Sequence, residues 1–128
     1  MASYKDDGGF KSTRRTTADL SDDRWKIVAE AADGSGVQLP TVQGDIAAGI
    51  LETEGDDGEL VTVIESGPAK VLLGATFARK DYPFMCNTSG AAIPWTAGNH
   101  AIGFVRETGV SGDIVECFVA KHGDTTVS

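Results

Sequence analysis

Apolar residues alternate with more polar neighbours in short runs along this chain, the period of a half-buried strand. Trp25-Ile27-Ala29 and Tyr82-Phe84-Cys86 are two such runs. Leu60-Thr62-Ile64, with Val61-Val63 on its other face, is a third, and Ile114 to Val119 a fourth. AKVLLGA at 69–75 supplies one more strand after a Ser-Gly-Pro turn. The stretches 46–51 (IAAGIL) and 101–106 (AIGFVR) each carry a central glycine, which predicts a bulge or a close backbone contact. Between the runs stand DGSG at 33–36, GDDG at 55–58, NTSG at 87–90 and GVSG at 109–112, residues that accept positive φ or bond to their own backbone. The pattern predicts an all-β fold, a small barrel or sandwich.

Sliding the sequence on itself by 54 residues aligns 36–64 with 90–118 without a gap and pairs Gly44 with Gly98, Gly49 with Gly103, Gly55 with Gly109 and Gly58 with Gly112. Gly36/Gly90, Pro40/Pro94, Ala47/Ala101 and Val61/Val115 are further identities. Ahead of the first turn the offset becomes 57, which sets Trp25, Ile27 and Ala29 against Tyr82, Phe84 and Cys86. The expected body is thus residues 21–128, built of two similar halves with a repeat at 25–64 and 82–118. Residues 1–20 stand outside the repeat, polar and without apolar periodicity. They are expected to form an extended arm, mobile alone and ordered on a partner, with Phe10 as its apolar anchor.

With 128 residues the chain can bury a sizeable core without disulfides or metal, and its 16 glycines again favour turns and short strands. The net charge of −8 argues against a nucleic-acid or anionic-membrane partner. That charge is uneven: residues 1–30 balance six basic against six acidic side chains, and the whole excess lies in 31–128. Two adjacent guanidinium groups on the arm, Arg14 and Arg15, can grip carboxylates of a partner. No apolar run is long enough to span a membrane, and the polar start lacks the apolar region of a secretion signal. Cys86 and Cys117 are therefore expected as two buried or half-buried thiols in a reducing compartment.

Chemistry for an enzyme is thin. His100 and His122 have no second ligand at metal spacing, no phosphate-binding glycine loop is present, and nothing implies a cofactor. The acidic stretch Glu52, Glu54, Asp56, Asp57, Glu59 lacks calcium-loop spacing and reads as a solvated hairpin. Trp25, Trp95, Tyr82, Phe84, Phe104 and Phe118 are expected mainly in packing, though they could line a ligand groove. No catalytic or metal site is assigned, and the chain is not expected to be an enzyme.

The two glycine-marked units, GVQLP with IAAGILETEGDDGELVTV and GAAIP with AIGFVRETGVSGDIVECFV, joined by SGPAKVLL, resemble the small capsid decoration or cement proteins of tailed bacteriophages. The resemblance covers residues 20 to 121; ARKDYPF at 78–84 departs from it, where the family has a Gly-Asp. It implies a β-tulip-like fold, homotrimers on the outer capsid surface of a virion assembled in the host cytoplasm, and a role clamping neighbouring major capsid subunits. The arm, with Phe10, Arg14 and Arg15, would then bind the capsid. The alternative is a small β-barrel ligand- or carbohydrate-binding module of a head fibre or adhesion protein.

Overall fold

A computed structural model describes residues 10–121. Among these there is no helix, and the nine strands are β1 (Phe10–Arg15), β2 (Ile27–Glu30), β3 (Val37–Gln38), β4 (Gly49–Leu51), β5 (Leu60–Leu72), β6 (Pro83–Cys86), β7 (Ala92–Pro94), β8 (Gly103–Val105) and β9 (Ile114–Val119). They form one antiparallel sheet in the order β3-β2-β4-β5-β9-β8-β6-β7, with β1 also on β5. The all-β expectation holds. The sheet curls so far that each half nearly closes: parallel bridges join Thr16 to Val37 and Leu73 to Ala92.

Two equivalent five-stranded units share the long strand β5. Its first part, Leu60 to Ser66, pairs with β1 and β4, and its second part, Gly67 to Leu72, pairs with β9. The second part of β5 therefore does for the second unit what β1 does for the first. Arg15 faces Leu60 as Leu72 faces Ile114, and the bridge Leu20 to Gly55 recurs as Phe77 to Gly109.

The Ser-Gly-Pro turn expected ahead of residue 69 is not a turn: Ser66, Gly67 and Pro68 lie inside β5, where it passes from one unit to the other. Two further expectations need correction. Residues 10–20 are not a mobile arm: β1 is the first strand of the first unit, Thr16 is 2% exposed and Leu20 1%. Lys11, Thr13 and Arg15 look polar because they line the solvent side of a curled sheet, while Ser12, Arg14 and Thr16 face inward, a period-2 pattern without apolar residues to reveal it. Residues 1–9 of the expected arm, and His122, lie outside the described residues. The last correction concerns register. Ile27 faces Ile50 as Pro83 faces Phe104, and Val28 faces Gly49 as Phe84 faces Gly103, so β2 matches β6 at an offset of 56, not 57. Glu30 faces Val37 as Cys86 faces Ala92, so β3 matches β7 at 55, not 54, and the identities Gly36/Gly90 and Pro40/Pro94 are not equivalent places. One residue changes which face each side chain occupies.

With the correct register the interior becomes legible. Leu20, Val28, Val37, Ala48, Leu51, Val61 and Val63 fill the first unit. Their equivalents Phe77, Phe84, Ala92, Ile102, Val105, Val115 and Cys117 all belong to the larger cluster of the second. Sizes are traded within each set: Leu20, Val28 and Ala48 are matched by larger residues, Val37, Leu51 and Val63 by smaller ones, as close packing of two similar volumes demands. The bridge pair shows the trade directly, since small Thr16 meets Val37 and large Leu73 meets Ala92.

Candidate functional site

β1 presents one edge to β5; along Lys11–Arg15 no other named strand pairs with it among the described residues. The equivalent edge in the second unit is in use, because the Leu72 amide donates to the Trp25 carbonyl at 3.0 Å. The three arm residues picked out in the sequence all lie on β1, but in different settings. Phe10 begins the strand and is 46% exposed. Arg15 is exposed, and its guanidinium donates to the Gly58 carbonyl at 2.5 Å. Arg14 points the other way, into an ion cluster of its own chain, 2.6 Å from Glu30 and 3.6 Å from Glu65. The hydrogen bond to Glu30 holds the Arg14 proton more tightly than usual. Lys121 adds a fourth charge, 3.8 Å from Glu65, and its ammonium also donates to the Ala48 carbonyl at 2.6 Å.

A groove of 310 Å³ runs along the seam between the units, lined by Trp25, Glu52, Ile64, Pro68, Lys70, Arg106 and Glu116 among others. Trp25 has φ 70°, rare for a non-glycine residue, and Asp81 has φ 62°. Both residues donate to equivalent carbonyls, Leu51 and Val105, so the unusual backbone belongs to the repeat and is no mark of chemistry. The Trp25 ring holds the Arg24 guanidinium at 4.4 Å and the Lys70 ammonium at 5.9 Å, cation–π contacts supplied by the chain itself.

The remaining candidates are structural. In the acidic hairpin the Glu59 carboxylate accepts from the Asp56 amide at 2.7 Å, and Asp113 accepts from the Val110 amide at 2.9 Å in the second unit. Glu52 is taken by Lys11 at 3.1 Å. Among the described residues no group of three His, Cys, Asp or Glu is placed to hold a metal. Cys86 and Cys117 are unpaired, buried thiols. Burial pushes Cys117 up to about 12 and also raises Cys86, the reverse of what a nucleophile needs. Phe84 is in the core, and Trp25, Tyr82, Trp95, Phe104 and Phe118 are half-buried.

The fold, unlike the chemistry, has a counterpart. The chain is similar to the crystal structure of the N base of the head fibre gp8.5 of bacteriophage phi29, with a TM-score of 0.66 over 88% of this chain and 94% of that one. Sequence identity is 16%, so the likeness is one of fold. No family profile matches the chain, and neither does any curated protein. Sequence reasoning missed β1 as part of the repeat. The equivalence is structural: the offset of 57 that fails for β2 holds for Arg15/Leu72, Thr16/Leu73 and Leu20/Phe77, pairs with no identity between them and so without a signal in the sequence.

Proposed function

We propose that this chain is a non-enzymatic structural protein of a bacteriophage head, a homotrimer that binds the major capsid protein on the outer surface and clamps neighbouring shell subunits. The observation that carries the reading is the fold likeness to a head-fibre base over nearly the full length of both chains. The glycine-marked repeat, which resembles that of decoration proteins, supports it from the sequence. So does the chemistry: the thiols are buried and the acidic turns are spent on their own amides.

Capsid contact is assigned to the edge of β1 turned away from β5 along Lys11–Arg15, with Phe10 at the start of the strand, Arg15 outward and Arg14 steadying the strand from behind. An extended capsid segment added there would gain main-chain hydrogen bonds without needing a pocket. The internal precedent is Leu72, whose amide is met by Trp25 of the neighbouring unit; its equivalent is Arg15. Three such edges per trimer would multiply a weak contact through avidity. An acidic body of net charge −8 stays soluble at high copy number and off packaged DNA.

The test is cosedimentation of the full chain with shells of the major capsid protein from the same phage, followed by imaging of decorated and bare shells. Binding that Arg15→Glu weakens at least tenfold is expected. Shells that pellet without the protein would overturn the reading.

A further inference from the structure

The two units are joined head to tail, and that arrangement buries a face in one that it leaves open in the other. Alternation sorts the first unit: Val28, Leu51 and Val63 turn into their own interior, while Ile27, Ile50 and Ile64 turn outward. These three isoleucines stand side by side across β2, β4 and β5, and they belong to the apolar cluster of the second unit, at 0%, 0% and 2% exposure. The outer face of the first unit is thus covered by another copy of the same fold.

The equivalent row in the second unit is Pro83, Phe104 and Phe118, side by side across β6, β8 and β9, continued by Pro68 on β5. Phe104 and Phe118 stack with ring centroids 5.6 Å apart, and both are half-buried. None of the four belongs to either cluster of buried apolar residues. The next row carries both signs: Arg106 donates its amide to the Glu116 carbonyl, and Glu116 faces Lys70.

We propose that a second copy of this chain covers this face, and that the Pro83–Phe104–Phe118 row is the contact that builds the trimer. The intrachain joint argues for another copy of the fold as occupant. The charges argue for a closed, symmetric arrangement, since Glu116 of one copy can meet Arg106 or Lys70 of the next. A simple continuation of the internal stacking is blocked. In the second unit the inner end is Val71, Cys86 and Val119, which join the isoleucine row in one cluster. The equivalent end of the first unit is Arg14, Glu30 and Glu65, an ion cluster with no apolar surface to offer.

This inference rests on the trimer reading, and solution mass tests it independently of any capsid. Light scattering on the full chain should give about three times 13.4 kDa. Phe104→Ser with Phe118→Ser should give a single 13.4 kDa species with an unchanged far-ultraviolet spectrum. In case that variant misfolds, Phe104→Cys treated with a short bismaleimide should give a covalent dimer on a denaturing gel, because a row placed around the three-fold axis brings its own copies together. A monomeric wild-type chain, an oligomer indifferent to both serines, or no cross-link at residue 104 would each overturn the proposal. Failure to bind shells with the mass results intact would overturn the capsid reading alone.

Discussion

Gly49 and Gly103 are fixed by proximity. A Cβ on Gly49 would lie 2.2 Å from the Ile64 carbonyl oxygen, and one on Gly103 would lie 2.1 Å from that of Phe118. Alanine at either site must push a backbone away inside a packed sheet, at a cost of about 1–3 kcal/mol. Gly49→Ala and Gly103→Ala should therefore lower Tm by similar amounts, measured by thermal unfolding. This pair was legible in the sequence because a close backbone approach admits one residue type and leaves an identity at the repeat offset. Arg14 was not legible: its partners Glu30 and Glu65 come near only after the sheet curls, so in the sequence it resembles the outward Arg15. Cys117 offers a pH test. The thiol goes from an ordinary 9.0 to about 12 on folding, so its proton stays on in the folded state and leaves in the unfolded one. Stability from this group is complete below pH 9 and is lost as pH rises toward 12. Cys117→Val, which copies the first unit's Val63, should reduce the alkaline fall in denaturant midpoint.

Among the elements, β1 differs most from what its sequence suggests. Six polar or exposed residues make a strand there because β5 supplies the apolar rows, Val61 and Val63, that β1 covers. Removing residues 1–15 should uncover both valines, each worth about 1.5–3 kcal/mol, and lower Tm by at least about 10 °C. If capsid binding fell while Tm stayed unchanged, β1 would be a docking arm and not a strand of the body. β9 was legible from its alternation, β4 and β8 from the glycine that opens each, and β5 only as two pieces, because Ser66-Gly67-Pro68 reads as a turn although the strand runs through it. β2 slipped by one residue because Trp25, Ile27, Val28 and Ala29 are apolar on both faces. One face fills the unit and the other meets its neighbour, so alternation could not choose between them.

At the scale of the molecule, the shared strand β5 and an apolar cluster drawn from both units tie the halves into one cooperative body. Calorimetry should show one transition whose calorimetric and van't Hoff enthalpies agree. Neither half, cut at Gly67, should fold alone, since each would lose a strand or expose Ile27, Ile50 and Ile64; a folded fragment by proton NMR would contradict this. The repeat was visible in the sequence, but its head-to-tail geometry was not, because glycine spacing records where chains turn and says nothing of which faces meet.

The ion cluster of Arg14, Glu30 and Glu65 has a consequence in polymer terms. A unit with one apolar face and one apolar end is the subunit of an open helix, and two units already joined by that contact are a nucleus from which growth can continue. Charging the first unit's end caps the growing tip. Restoring the second unit's residues at those places, Arg14→Val with Glu30→Cys and Glu65→Val, should remove the cap. The triple variant would then elongate into fibres, visible by electron microscopy and by a concentration threshold in light scattering, while the parent chain stays at its finite size.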